Sequence, residues 1–293
     1  MIQQNALPRV ASTNRSIPRR VVQHPRPSCR PSRLAASCRT VAGRGTGPGS
    51  AESDSDPVTG WSGFLGIGPA LVPEYAGADS STIAPFVLGD LNYGPYFLQL
   101  RGLTLRANTV PSRRIVAGPL VRLGSGRDND VDSDRVARLD EIDATVEAGG
   151  FVGIRFGGDD RGQGQVELSL TATGSRNGVL GTAGISYAAL RGRSFFVNVD
   201  AEVNVANGEY TRTYFGVTQP EALRSGLPAY RPKGGLRDAG LGLTAGYQFN
   251  QHWGLTGRLS YSYLVGDAAD SPIVDLEGSK SQLMGGIALS YRF

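Results

Sequence analysis

The alternation of apolar and polar side chains near the C-terminus is the feature that most constrains the fold of this chain. From residue 282 onwards the odd positions are apolar or aromatic, namely Leu283, Ile287, Leu289, Tyr291 and Phe293. The even positions include Gln282, Ser290 and Arg292. A period of two is that of a β-strand. Residues 253–264 repeat the pattern, and strands about ten residues long with tyrosines near their ends are typical of a transmembrane β-barrel.

Similar segments recur along the chain from Trp61 to the C-terminus. Twelve strands are predicted, at 61–71, 83–90, 95–105, 113–123, 144–157, 164–174, 180–190, 195–205, 209–217, 236–249, 253–264 and 282–293. Asp200 and Glu202 alternate with valines, which fits a wall that has a wet lumen on one side and lipid on the other. We therefore predict an all-β fold, a transmembrane antiparallel barrel of about 12 strands, with ten strands as the alternative.

The strand count also predicts which connections share an end of the barrel. Bacterial barrels have an even number of strands and both chain ends in the periplasm. The segments 72–82, 218–235 and 265–281 are then expected outside the cell. The segments 91–94, 174–179, 206–208 and 250–252 are expected as short periplasmic turns, and 124–143 as a long, charged periplasmic excursion.

The N-terminal part has a different composition. Residues 1–56 are rich in Arg, Pro, Ser and Gly, contain both cysteines, and lack hydrophobic periodicity, so we expect a disordered tail before a barrel at 57–293. They also lack the apolar stretch of a secretory signal peptide. Gly49-Ser50-Ala51 resembles a signal cleavage site. We therefore expect that the assigned start is wrong or that the reading frame upstream of Ala51 has shifted.

Composition argues against several other classes. No apolar run approaches the roughly 18 residues of a membrane helix. The tail arginines have no aromatic residues between them, so no nucleic-acid partner is expected. His24 lies in the tail and His252 in a predicted turn, without a nucleophile and base arranged beside them. We predict a protein that is not an enzyme, with no cofactor and no metal site.

The second half of the chain contains a series of ordered motifs: Tyr214-Phe215-Gly216-Val217-Thr218, Ser225-Gly226-Leu227, Gly235-Leu236-Arg237-Asp238, Gly266 to Val274 and the terminal Tyr291-Arg292-Phe293. Trp61-Ser62-Gly63 and Pro73-Glu74-Tyr75 extend the series over about 60–293. In these motifs the chain closely resembles the MipA/OmpV family of Gram-negative outer-membrane proteins. The resemblance implies an outer-membrane location. For the best-studied member it implies a scaffold that brings a lytic transglycosylase together with a penicillin-binding murein synthase.

Three groups of residues are candidate sites. The first is a periplasmic docking segment for murein enzymes within 124–143, with Arg127, Asp128, Asp130, Asp132, Asp134, Arg135 and Arg138. The second is an external-loop motif, Asp267, Asp270, Ser271 and Pro272, which is either a cation site with Asp275 or ordinary turn chemistry. The third is the C-terminal pair Tyr291 and Phe293, expected to be read by the barrel-assembly machinery.

The charged side chains expected to face the lumen bear on the choice between a scaffold and a channel. The inward charges Glu147, Arg155, Glu167, Asp200, Glu202 and Arg258 either tune a pore or pair across a filled interior. We predict an outer-membrane scaffolding protein in contact with membrane lipid and murein enzymes. The alternatives are a passive channel and an adhesin that acts through its external loops.

Overall fold

The computed structural model describes residues 60–124, 126–159, 162–173 and 178–293. In this part of the chain twelve antiparallel strands close into a barrel, because each strand pairs with its sequence neighbours and the last pairs with the first. The strands are β1 Ser62–Pro73, β2 Ser81–Tyr93, β3 Tyr96–Arg101, β4 Thr104–Asn108, β5 Ile115–Gly124, β6 Thr145–Asp159, β7 Gly162–Thr173, β8 Val179–Arg191, β9 Phe195–Ala206, β10 Gly235–Gln248, β11 Trp253–Leu264 and β12 Ser281–Arg292. The predicted all-β barrel of 12 strands is confirmed. The predicted tail, 1–56, lies outside the described residues.

Short helices occupy several of the connections between strands. They are α1 Gly208–Phe215, α2 Gln219–Ser225, α3 Gly266–Ala269 and α4 Pro272–Asp275, with a 3-10 turn at Val136–Arg138. Among the described helices, none has the length and apolar character needed to cross a bilayer.

The alternation seen in the sequence places apolar side chains outside the wall. Leu65 and Ile67 on β1 and Leu241 and Leu243 on β10 are exposed on the outer surface. The residues between them, such as Gly66 and Gly242, face the interior and allow inward side chains of neighbouring strands to come close. Since successive strand residues point to opposite faces, the outer surface is a continuous apolar band suited to lipid.

Two predicted strands differ from the structure. The segment 95–105 is two strands, β3 and β4, joined by a tight turn in which Gly102 has a left-handed φ of 55°. The segment 209–217 is the helix α1 and its C-terminal continuation, and Asn207 caps this helix by accepting a hydrogen bond from the Tyr210 amide at 2.9 Å. One strand was missed and one was added, so the two errors cancel in the count.

The same two errors reverse the ends assigned to the connections between them. Gly63 and Phe293 exchange backbone hydrogen bonds of 3.3 and 3.1 Å, so the chain enters and leaves the barrel at one end, which we call the terminal end. The described turns 94–95, 109–114, 192–194 and 249–252 also lie there. The connections 74–80, 126–144, 207–234 and 265–280 lie at the opposite end, which we call the outer end.

The segment 124–143 is therefore not at the terminal end, where the sequence analysis placed it. It lies with 72–82, 218–235 and 265–281, because β3 and β4 add one crossing of the wall before it. The described parts of 174–179 and 206–208 are likewise at the outer end, whereas 91–94 and 250–252 are terminal turns as expected. Both ends of bacterial barrel chains are periplasmic, so the terminal end faces the periplasm.

Candidate functional site

The connections at the outer end fold into one packed layer, which we call the outer cap: residues 74–80, 126–144, 207–234 and 265–280. Its largest apolar cluster draws on all four segments and buries Tyr75, Ala78, Val136, Leu139, Val217, Leu227 and Ile273. A second cluster joins α1, α3 and α4 to the end of β11 through Phe215, Leu264, Ala268, Ala269 and Val274. Because residues distant in sequence share these clusters, the cap is a folded unit rather than a set of independent loops.

The predicted docking segment is built into this cap. Arg127 pairs with Ile142 in an isolated antiparallel bridge, and its guanidinium donates to the Asp140 carbonyl at 3.2 Å. Arg135 donates to Glu277 at 3.0 Å. The remaining charged members of the segment, Asp128, Asp130, Asp132, Asp134 and Arg138, are exposed. Arg127 and Arg135 therefore hold the cap together, while the carboxylates of the segment face the exterior.

Glu221, which the sequence analysis did not select, ties two cap segments together. Its carboxylate accepts from the Thr218 amide at 2.7 Å and the Thr218 hydroxyl at 2.6 Å, which caps helix α2. It also accepts from the Asp140 amide at 3.0 Å. Burial opposes its ionisation, but these hydrogen bonds and the charge of Arg127 outweigh burial and lower the pKa of Glu221. The sequence signal was the capping pattern of Thr218 followed three residues later by Glu221.

Two other cap groups have pKa values shifted mainly by burial. The pKa of the Tyr75 phenol is raised to about 12 by burial and by the nearby Asp79. Burial lowers the pKa of the Arg127 guanidinium, against the opposing charge of Glu221. Both shifts follow from moving a charged form out of water.

The external-loop motif has the geometry of turn and helix capping. Ser271 is fully buried, accepts from the Ile273 amide at 3.3 Å and donates to the Phe215 carbonyl at 2.7 Å. Pro272 follows it as the first residue of α4, where its missing N–H costs nothing. Asp267 accepts from the Lys233 amide at 2.5 Å. Asp270 is exposed, 3.9 Å from the Lys280 ammonium.

The carboxylates of Asp267 and Asp270 already interact with the Lys233 amide and the Lys280 ammonium, which leaves few oxygens for a cation. Lys280 also lies 3.7 Å from Asp275, so the acids of the loop already share one positive charge. Within the described residues no cluster of three metal-ligating side chains occurs. The geometry supports the turn interpretation over the cation site.

Ion pairs extend across the inner face of the barrel. Arg258 on β11 donates to both carboxylate oxygens of Asp200 on β9, at 2.8 and 2.9 Å. Arg106 on β4 pairs with Glu167 on β7 and donates to Gln99 at 2.8 Å. The Asp200–Arg258 pair spans β10, and the Arg106 guanidinium lies 5.2 Å from the ring centroid of Phe151 on β6. The predicted lumen charges are thus largely paired with each other or with arginines.

Gly242 on β10 shows why small residues line the path of the Asp200–Arg258 pair. A Cβ atom there would lie 2.2 Å from an Asp200 oxygen and 2.6 Å from an Arg258 nitrogen. The two side chains can meet only because this position has no side chain. Glycine in a strand interior often marks such a close approach.

The other predicted lumen residues have distinct environments. Glu147 is buried and accepts from the Thr171 hydroxyl at 3.0 Å, with Arg122 at 3.9 Å. Arg155 donates to Gln165 at 3.2 Å. Glu202 stays exposed on the inner face. Arg106 was missed because a single arginine in a short strand carries no local signal of an inward orientation.

Aromatic side chains gather at the terminal end. Trp253 and Tyr291 meet edge to face at a centroid distance of 5.0 Å, and His252 stacks on Tyr291 at 5.6 Å. Trp61 and Tyr93 form a second pair at 5.0 Å. Aromatic girdles of this kind sit at membrane interfaces. Tyr291 pairs with Leu65 and Phe293 exchanges backbone hydrogen bonds with Gly63, so both residues help to close the seam between β12 and β1. Their recognition by the assembly machinery stays a prediction.

Comparison with known proteins gives the chain relatives among outer-membrane proteins. The sequence model of the family described as MltA-interacting protein MipA matches residues 65–293. The chain is 39% identical over 62 residues to the MltA-interacting protein of Escherichia coli (strain K12), an alignment covering 21% of this chain and 25% of that protein. It is 34% identical over 93 residues to outer membrane protein OmpV of Vibrio cholerae, covering 32% and 34%. These alignments span a quarter to a third of the length of the curated relatives.

Solved structures similar to this chain are outer-membrane barrels. The outer membrane channel COG4313 of Pseudomonas putida F1 is 11% identical, with a TM-score of 0.45 over 84% of this chain and 100% of that one. The translocator domain of the autotransporter NalP from Neisseria meningitidis is 14% identical, with a TM-score of 0.37 over 80% and 87%.

Proposed function

Because this chain belongs to the MltA-interacting protein MipA family and is an outer-membrane β-barrel, we propose that it acts as a scaffold for murein enzymes. In this proposal it holds a lytic transglycosylase and a penicillin-binding murein synthase at the periplasmic face of the outer membrane and catalyses no reaction itself. The name of the Escherichia coli relative supports the first partner. The resemblance described above supports the second.

The observation that carries the proposal is the packed outer cap. Ile273 and Val274 are 0% and 1% exposed, and Phe215 is 1% exposed, so the cap has an interior as dry as that of a soluble domain. A passive pore needs a continuous aqueous path, and apolar packing above the lumen opposes one. The paired charges Asp200–Arg258 and Arg106–Glu167 below the cap further reduce the free charge available to attract ions.

The position of the cap also changes where the enzymes would dock. Murein lies in the periplasm, whereas residues 124–143 lie at the outer end with the rest of the cap. We therefore assign docking to the terminal end and give 124–143 a structural role in the cap.

A binding assay with a conductance control tests the scaffold. The refolded full-length protein, tagged and held in a zwitterionic detergent, is mixed with each purified murein enzyme from the same organism. We expect saturable binding of at least one enzyme, and no steady single-channel current in a planar bilayer. Heat-modifiable gel migration confirms folding. A steady current without binding of either enzyme would refute the scaffold.

A channel is the second candidate, and one observation favours it. Arg101 lies on the inner face of β3, is exposed, and has no hydrogen-bond or ion-pair partner among the described residues. An unpaired guanidinium in a wet lumen attracts anions. If the protein conducts, Arg101→Gln should lower its preference for anions, which the reversal potential in a salt gradient would show.

The adhesin alternative rests on the exterior of the cap. Leu223 on α2 is 88% exposed and Leu276 is 53% exposed, both in segments that face away from the cell. Replacing 218–235 or 265–281 and measuring attachment of whole cells would assign adhesion to these loops.

A further inference from the structure

The terminal end of the barrel is basic. Arg113 and Arg114 lie in the turn between β4 and β5, Arg191 ends β8, and Arg193 lies in the turn between β8 and β9. Arg292 ends β12. All five side chains are exposed. We call this set the arginine rim.

Carboxylates are scarce beside the rim. Asp159, the last residue of β6, lies at the same end of the barrel. The segments 94–95, 109–114, 192–194 and 249–252 contain no Asp or Glu. Among the described residues, none of the five guanidinium groups has an ion-pair or hydrogen-bond partner. The turn between β6 and β7 lies outside the described residues.

The outer cap has the opposite balance. Its carboxylates are Glu74, Asp79, Asp128, Asp130, Asp132, Asp134, Asp140, Glu141, Asp143, Glu209, Glu221, Asp267, Asp270, Asp275 and Glu277. Its basic residues are Arg127, Arg135, Arg138, Arg212, Arg224, Arg231, Lys233 and Lys280. Among the described connections, charge is thus separated along the barrel axis, and those at the periplasmic end carry the positive charge.

We propose that the arginine rim is the docking surface for an acidic face of a periplasmic protein. This inference rests on the scaffold function proposed above and names the surface that would perform it. Complementary charge across an interface steers encounter and fixes orientation. Arginine suits the task because its guanidinium binds carboxylates with two hydrogen bonds and is weakly hydrated.

The positions of the rim residues favour a protein over membrane lipid. Arg191 pairs with Phe196, which belongs to the same inward-facing row of β9 as Asp200, so Arg191 also faces inward. Arg292 pairs with Phe64 and belongs to the inward row of β12 with Ser290. Two members of the rim therefore border the mouth of the lumen. A lipid headgroup lies outside the wall, whereas a protein seated on the end of the barrel reaches both the mouth and the turns.

Two matched charge reversals test the rim. The first is R113E/R114E/R193E. The control is R138E/R231E/K233E in the cap, which changes the net charge equally at exposed residues whose side chains have no partner among the described residues. Binding of each purified murein enzyme to the full-length protein is measured in zwitterionic detergent at low and high salt, with heat-modifiable migration as the folding control. A milder variant, R113Q/R114Q/R193Q, serves if the reversal impairs folding.

We expect the rim reversal to weaken binding at low salt at least tenfold and to flatten its dependence on salt. The cap reversal should change binding less than twofold. Equal binding by the rim variants and the wild type would overturn the rim while leaving the scaffold intact. Equal weakening by both reversals, or binding that requires anionic lipid, would also overturn it. Absence of wild-type binding to either enzyme under all conditions would instead remove the scaffold on which the rim depends.

Discussion

Glu221→Gln should loosen the outer cap without disturbing the barrel wall. The substitution keeps the size of the side chain but removes its charge and turns one acceptor oxygen into a donor. The carboxylate now accepts from Thr218 and Asp140 and faces the charge of Arg127. One donor group of Thr218 or Asp140 is therefore left facing the NH₂ group of the glutamine. The buried Arg127 guanidinium also loses its counter-charge.

The magnitude follows from these contacts. Hydrogen bonds to a charged group contribute about 1.5–3 kcal/mol, and an unsatisfied buried donor costs about 1–3 kcal/mol. Since glutamine preserves part of the network, we expect a loss of about 2–3 kcal/mol for local opening of the cap, by the same reasoning. That corresponds to a roughly 30- to 150-fold rise in the opening equilibrium constant.

Amide hydrogen exchange in detergent micelles measures this opening. Protection of the Asp140 and Thr218 amides should fall by that factor, while amides in the middle of β10 keep theirs. Glu209→Gln is the control, because Glu209 lies in the same cap with a 53% exposed side chain paired to Arg212. Exchange that changes equally in both variants, or in neither, would refute the role assigned to Glu221.

Acid should act in the same direction as the substitution. The pKa of Glu221 is lowered in the folded cap below its ordinary value of 4.5. Its contribution to stability is therefore complete above pH 4.5 and is lost as the pH falls through the lowered pKa. The Glu221→Gln variant should lack this acid-dependent loss of protection.

Three further predictions concern the wall and the cap. Leu241→Arg, at the middle of β10 and 65% exposed to lipid, should lower the unfolding free energy by about 2–4 kcal/mol, and Leu236→Arg at the strand end by about 0–1 kcal/mol, in a urea titration in lipid vesicles. Equal losses of unfolding free energy in the two variants would contradict the position of Leu241 near the middle of the bilayer. Gly242→Ala should displace the ion pair across the lumen and cost about 1–3 kcal/mol. Gly181→Ala, whose Cβ would meet its nearest atom at 3.8 Å, should cost less in the same titration. The pKa of the Tyr75 phenol is raised from 10.0 to about 12, so its contribution to cap stability should be lost as the pH rises through that range. The Tyr75→Phe variant should not show this loss of stability at high pH. Its ultraviolet absorbance titration should also contain one fewer phenol that ionises late.

Much of the wall could be predicted because its signal is local. Alternation assigned Leu283 and Leu289 to the outer face and Asp200 and Arg258 to the lumen, and the structure confirms these faces. The option that the lumen charges pair with each other was also open from the sequence. Pairing partners such as Arg106 and Glu167 were not predictable, because they are set by the stagger of strands three apart in the barrel.

The end of the barrel at which a connection lies depends on how many strands separate it from the chain termini. The sequence pattern did not predict these ends correctly for every connection. Alternation continued through the turn at Gly102 and therefore concealed it. Residues 209–217 offered a strand-like pattern, yet they form α1, because a helix buries Tyr210 and Phe215 against other parts of the cap. Each such error reverses every later connection until another corrects it.

The sequence by itself therefore determined a closed antiparallel barrel, its lipid and lumen faces, and its family. The barrel and its two faces follow from the period-two contact of each residue with its immediate surroundings, and the family follows from the ordered motifs that resemble it. Only the tertiary structure decided that 124–143 belongs to the outer cap, that Glu221 joins two distant segments, and that unpaired arginines gather at the periplasmic end. Those features depend on contacts between residues far apart in the chain, which no local pattern records.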